Sequence, residues 1–178
     1  RALQELTNNQ EGKMNYSFDY DNTLIKYKYT YNTTGEIIDV NYDEPHYENI
    51  KTLRELHQAG HTIYIITSRM QPQYEGFKYD WDDSPPPEKL IKELELPVKE
   101  VVYTSGKKKL SKILLYDIRK HWDDDEKEIE EIKKYNGFSY PMFINQNIEY
   151  VLVNKPEGIT ERLREKFIRM TSYEDYGK

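Results

Sequence analysis

Apolar residues recur along this chain with two alternating periods. Short apolar runs at residues 14–18, 61–66, 98–103 and 118–122 read as strands, the β-branched run 61–66 as one covered on both faces. Between them the apolar positions shift to helical spacing. Ile50, Leu53, Leu56 and Ala59 mark a helix opened by Pro45 and closed by Gly60. Residues 88–96 form a short helix stopped by Pro97, and 110–116 and 124–135 complete the set, the last ending at Asn136-Gly137. Residues 25–40 alternate at period two around Asn32-Thr33-Thr34-Gly35, which predicts a β-hairpin inserted directly after the first strand. Residues 71–87, with a run of three prolines, read as loop or a small insertion. Further along, 138–145 and 148–154 read as strands, Pro141 marking an edge position, and 159–170 as a final helix. Residues 1–13 show weak periodicity and read as a leader or linker, or as the tail of an upstream domain. Residues 14–178 then make one domain.

Strand and helix alternate in this order, which predicts an α/β fold: a three-layer, Rossmann-like parallel sheet with helices on both faces and a hairpin after strand one. Ligands in such sheets bind at the carboxyl ends of the strands. Function is therefore to be sought in the residues standing there.

Composition narrows the classes. The 178 residues carry a formal charge of −6, so a broad nucleic-acid-coating surface is excluded and any nucleic-acid contact must be local. Seventeen Tyr argue against disorder. There is no Cys, hence no disulfide, no thiolate metal site and no cysteine nucleophile, which fits a cytoplasmic setting. No apolar run approaches the roughly 20 residues of a membrane span. His46, His57, His61 and His121 show no metal-ligand spacing, and the sequence assigns them no role.

The strand ends are chemically rich. Strand one runs into Asp19-Tyr20-Asp21-Asn22-Thr23, strand two into Thr67-Ser68-Arg69, strand three into Thr104-Ser105-Gly106 and then Lys107, Lys108 and Lys109, and strand four into Asp123-Asp124-Asp125. Two carboxylates two residues apart at the lip of a buried strand are costly unless compensated, and a divalent cation with oxygen ligands is the natural compensation. Carboxylate, hydroxyl, cation and carboxylate together suit phosphoryl transfer: one Asp as nucleophile, another as proton donor, a Thr and a Lys on the phosphoryl oxygens. Plainer roles exist for each group. Asp-Asn-Thr also caps helices, Thr67 can close a strand end, and Arg69 can simply form an ion pair. One of the three consecutive aspartates suits a helix N-cap. The six Lys/Arg and one Asp of residues 105–120, followed by seven acids and one Lys in 121–131, can attract each other as solvated surfaces.

Asp19-Tyr20-Asp21-Asn22-Thr23 matches the DxDxT signature of the haloacid dehalogenase-like (HAD) phosphohydrolases. Thr67, the lysines from 107 and the acids at 123–124 resemble the other three motifs of that family, in the same order and each after a strand. The resemblance covers about residues 14–145. It implies Asp19 as nucleophile and Asp21 as general acid/base. It also implies Mg²⁺ held by Asp19, the main-chain carbonyl of Asp21 and Asp123 or Asp124, with Thr67 and Lys107 or a neighbouring lysine on the phosphate. Spacing leaves the lysine open among Lys107, Lys108, Lys109 and Lys112, and the acidic motif open by one residue within 123–125. The hairpin is then a flap over the site, with a small or absent cap. Within the family, Thr67-Ser68-Arg69 is similar to the Ser-Gly-Arg of the phosphatase domain of polynucleotide kinase/phosphatases, and His121-Trp122-Asp123-Asp124-Asp125 to RNA-repair-like members. This implies a substrate contact for Ser68 and Arg69.

The expected function is a Mg²⁺-dependent phosphomonoester hydrolase acting through an aspartyl-phosphate on nucleotide or nucleic-acid terminal phosphates. Tyr74, Phe77, Tyr79 and Trp81 are candidates for stacking on a base. The alternatives are a phosphatase of a free small metabolite, and a non-catalytic phosphate-binding module of the same fold.

Overall fold

In the computed structural model of the chain, residues 12–73, 84–138 and 147–154 are described. The first strand, β1 (Asn15–Phe18), leads into an antiparallel hairpin, β2 (Ile25–Tyr31) and β3 (Ile37–Pro45). There follow α1 (Tyr47–Gln58), β4 (Thr62–Thr67), α2 (Pro87–Leu94), β5 (Val98–Tyr103), α3 (Leu110–Leu115), β6 (Ile118–Asp123), α4 (Glu126–Gly137) and β7 (Glu149–Leu152). Five strands form one sheet in the order β5-β4-β1-β6-β7, and every pairing in it is parallel. The chain fills one side of β1 with β4 and β5, then crosses to the other side with β6 and β7. The point where the winding reverses lies between β1 and β6, and in sheets of this kind that is where a crevice opens at the strand tips.

Alternation along β4 shows how the layers assemble. Ile63 and Ile65 join Phe18, Trp122, Ile50, Leu53 and Leu90 in one cluster, beneath α1 and α2. Tyr64 and Ile66 face the other way and pack with Val102, Ile113, Ile129 and Ile132, beneath α3 and α4. Both faces of the sheet are thus covered, which is why β4 reads as a continuous apolar run. Burial of Ile50 and Leu53 on α1 stabilises by about 1.5–3 kcal/mol each. Phe18 and Trp122 are register partners across β1 and β6, and their rings stack with centroids 4.5 Å apart. The hairpin packs on the first cluster through Tyr27, Tyr29, Val40 and Tyr42.

Boundaries differ from the sequence reading in two informative places. Pro45 ends β3 rather than opening α1, because pairing of Ile25 with Pro45 carries the hairpin to its base. The helix instead starts after His46, whose Nδ1 accepts from the Asn49 N–H. The helix predicted over 124–135 starts later than position 124, since Asp125 is its N-cap and accepts from the Lys127 N–H at 2.8 Å. Gly60, at φ +97°, closes α1 as expected. The predicted strand 138–145 and helix 159–170 lie almost wholly or wholly outside the described residues, as does most of the 1–13 segment. No helix among the described residues is long and apolar enough to cross a membrane.

Candidate active site

β1 ends at Phe18 and the chain turns sharply over the next six residues. The Thr23, Leu24 and Ile25 N–H groups all converge on the Tyr20 carbonyl, and Asn22 takes a positive φ of 61°. Asp19 is anchored at its own N–H by the Trp122 carbonyl at 2.8 Å. This tie holds the β1 tip against the β6 tip. Asp19 therefore lies beside Asp123 and Asp124, and carboxylate oxygens of the three buried residues fall within 4.8 Å of one another.

Lys109 stands among these acids. Its side chain is 3% exposed, and its Nζ lies 2.7 Å from both Asp19 Oδ1 and Asp123 Oδ2. Its main-chain N–H donates to Glu128 on α4 at 3.0 Å. Of the four lysines that spacing leaves open, this is the one the fold brings to the carboxylates. Lys107 and Lys108, the sequence candidates, are exposed, and Lys112 sits half-buried on α3. The cause is the left-handed turn at Ser105 (φ 51°) and Gly106 (φ 79°), which delays the chain's return to the site until Lys109. Of the three consecutive aspartates, Asp123 and Asp124 join the cluster, while Asp125 caps α4.

Asp21 is held apart from these acids. Arg69 donates to both of its carboxylate oxygens, Nε to Oδ2 at 2.9 Å and Nη2 to Oδ1 at 2.7 Å. Tyr27 of the hairpin donates its hydroxyl to Oδ1 as well. The Arg69 side chain is 4% exposed, donates also to Tyr27 and Ser84, and lies 4.9 Å from the Tyr20 ring centroid. Arg69 thus fills the ion-pair role weighed in the sequence, with Asp21 as its partner. Thr67 is fully buried and accepts from the Arg69 N–H at 3.2 Å. Half-buried Ser68 accepts at its carbonyl from Gly106 N–H at 2.8 Å, one of three backbone bonds stitching 104–106 to 67–69.

The charges divide the three central acids. Burial raises the Asp19 pKa well above the usual carboxylate range, and the Asp123 charge adds to it against the pull of Lys109. Asp123 moves the other way: burial opposes its charge, but Lys109 and the hydrogen bond from His121 outweigh it and depress its pKa. The difference follows from the donors. Asp123 accepts from Lys109, His121 and the Asp125 N–H, whereas Asp19 has Lys109 and a longer 3.3 Å bond from Thr23. Asp21 is also depressed, since its ion pair and hydrogen bonds with Arg69 and its bond from Tyr27 overcome burial. It holds no proton at neutral pH in this arrangement.

Donor chemistry decides what the acid cluster can hold. Three buried carboxylates offering oxygen alone suit a hard cation of the Mg²⁺ or Ca²⁺ type, and no soft ligand is present among them. The Asp21 carboxylate is outside that set, being committed to Arg69 and Tyr27.

Sequence reading missed Ser17, Tyr27, His121 and Glu128. Ser17 is buried in the middle of β1 and lies 2.6 Å from His121 Nδ1, and His121 Nε2 lies 2.8 Å from Asp123 Oδ2. The signal was present: His121 precedes Asp123 by two residues on a strand, so the two share a face. Tyr74, Phe77, Tyr79 and Trp81 lie outside the described residues. No protein-family model matches the chain, and no curated protein is significantly similar to it.

Proposed function

We propose that this chain is a phosphomonoester hydrolase of the HAD type, dependent on Mg²⁺ and working through an aspartyl-phosphate at Asp19. One observation carries the reading. At the point where the sheet reverses, Asp19 shares Lys109 with Asp123, while a second acid two residues on, Asp21, is held separately by Arg69. Two neighbouring carboxylates in different charge environments are what an acid/base division of labour requires.

Asp19, Asp123 and Asp124 would hold the cation. When bound, it supplies positive charge that lets an anionic nucleophile and an anionic phosphate approach, and it favours the ionised form of Asp19. Asp19 attacks phosphorus, forming an oxygen–phosphorus bond as the bond to the leaving oxygen breaks. Lys109 balances charge on the transferred group. Asp21 serves the leaving oxygen and then the hydrolytic water. Its tie to Arg69 favours the base form that activates water; the arriving phosphate competes for the guanidinium and frees Asp21 to carry a proton. The hairpin acts as a flap, fastened by Tyr27 to Asp21 and by Tyr29 to Asn22 at 3.1 Å.

The substrate class is a nucleotide or nucleic-acid terminal phosphate, supported by the likeness of Thr67-Ser68-Arg69 to polynucleotide phosphatases. The test is phosphate release with Mg²⁺ and with EDTA on mononucleotides, oligonucleotides bearing 3′- or 5′-phosphates, sugar phosphates and an aryl phosphate. Mg²⁺-dependent release from oligonucleotide or nucleotide ends is expected. Release from sugar or aryl phosphates alone would discard the nucleic-acid substrate, and silence across the panel from folded protein would favour a phosphate-binding module.

A further inference from the structure

A buried polar file runs into the acid cluster at Asp123, and its other two members, Ser17 and His121, take no part in the proposed chemistry. Ser17, His121 and Asp123 are each fully inaccessible to solvent. Ser17 on β1 and His121 on β6 are register partners, and their side chains meet at 2.6 Å. That register is not the default one. β1 pairs with β6 at Asn15↔Ile118 and then slips by one residue, so that Tyr16 faces Lys120 and Ser17 faces His121. Without the slip Ser17 would face Lys120. Bulges near functional sites commonly re-aim a side chain in this way.

Hydrogen-bond chemistry fixes the direction of the file. A carboxylate only accepts, so His121 must donate from Nε2 to Asp123 Oδ2. With Nε2 as the donor, Nδ1 of the neutral ring is left as acceptor for the Ser17 hydroxyl. Asp123 Oδ2 accepts from Lys109 as well, and Oδ1 accepts from the Asp125 N–H at 2.9 Å. A carboxylate offers about four lone-pair sites. Three are taken, and the one left is on Oδ1.

We propose that Ser17 and His121 are positioning residues for the cation site: they lock the Asp123 carboxylate so that one oxygen remains for a divalent metal. This rests on the reading of Asp19, Asp123 and Asp124 as metal ligands. Carboxylates and imidazoles behind metal ligands typically govern affinity by 10–100-fold. The file is otherwise hard to account for, since two polar side chains fill places in β1 and β6 that apolar residues would fill without needing partners.

Mn²⁺ binding to the full chain, followed by loss of the free-ion electron paramagnetic resonance signal, tests this without reference to turnover. Wild type should bind Mn²⁺ and D123N should not. H121L should weaken binding by about 10–100-fold, S17A by less, and H121Q, which restores an N–H donor, should recover most of the loss. Thermal unfolding in EDTA establishes that each variant is folded. Folded S17A and H121L with wild-type affinity would overturn the proposal while leaving the metal reading intact. If H121L fails to fold, S17A and H121Q decide: wild-type affinity in S17A overturns the proposal, and weakened affinity in S17A with near-native affinity in H121Q supports it. Wild type that binds no Mn²⁺ would overturn the metal reading and the positioning role together.

Discussion

Replacing Arg69 by Ala strands the Asp21 carboxylate. Asp21 is 13% exposed at its side chain and would keep Tyr27 as donor but lose both guanidinium bonds and the cation. Removing one partner of a buried pair costs about 3–5 kcal/mol, and the slight exposure of Asp21 places the expectation near 3. For a chain of this size that lowers the melting temperature by roughly 6–12 °C. The cost is pH-dependent, and its sign is fixed by the direction of the shifts. In wild type the depressed Asp21 pKa stabilises the fold above the unfolded value of about 4, and that contribution is lost as pH falls through the folded pKa. In R69A burial dominates and raises the Asp21 pKa, so the variant loses stability as pH rises above about 4. The gap between the two proteins should therefore be widest near pH 7 and narrow toward pH 5 and below. Urea denaturation of both proteins in EDTA at several pH values measures it. On a D21N background, with no charge to strand, R69A should cost far less. A gap below about 1 kcal/mol at pH 7, or one that does not change with pH, would refute the clamp.

The lysine assignment is checked by contrast: K109M should abolish turnover and destabilise by about 3–5 kcal/mol at neutral pH, because it leaves Asp19 and Asp123 uncompensated. The double variant K107A/K108A should stay within about 0.5 kcal/mol of wild type, as expected for exposed positions; a large loss there with none in K109M would reverse the choice. D19N removes a carboxylate whose ionisation the metal-free fold disfavours, so in EDTA at neutral pH it should be at least as stable as wild type, measured by calorimetry. Its gain in melting temperature on adding Mg²⁺ should be much smaller than wild type's. Wild type at about 100-fold Kd of Mg²⁺ should gain about 2.7 kcal/mol, and a gain that survives in D123N would place the metal elsewhere.

The sheet was legible because its logic is local. Runs such as Ile63–Ile66 can be satisfied only with both faces covered, and Gly60 and Pro97 punctuate the helices between them. The strand-end rule then pointed to Asp19, Thr67 and the run Asp123-Asp124-Asp125, without choosing among the three. Lys109 was not separable from Lys107 and Lys108 by spacing, because the answer lies in a left-handed turn at a non-glycine residue, Ser105, that no propensity announces. The pairing of Ser17 with His121 was invisible for a different reason. Each is unremarkable alone, and they become a pair through a one-residue slip in parallel pairing, a property of two strands about a hundred residues apart. Arg69 carried two meanings in the sequence, and its contact with Asp21, 48 residues away, is tertiary information.

The measurement closest to the central claim is to trap Asp19 during turnover. Wild-type protein mixed with Mg²⁺ and a phosphorylated oligonucleotide is quenched rapidly in acid, reduced with borohydride and digested for peptide mass spectrometry. An aspartyl-phosphate is reduced to homoserine, so homoserine at position 19, absent without substrate and absent in EDTA, is the predicted result. Steady Mg²⁺-dependent phosphate release with Asp19 recovered unmodified, or with full activity in D19N, would contradict it.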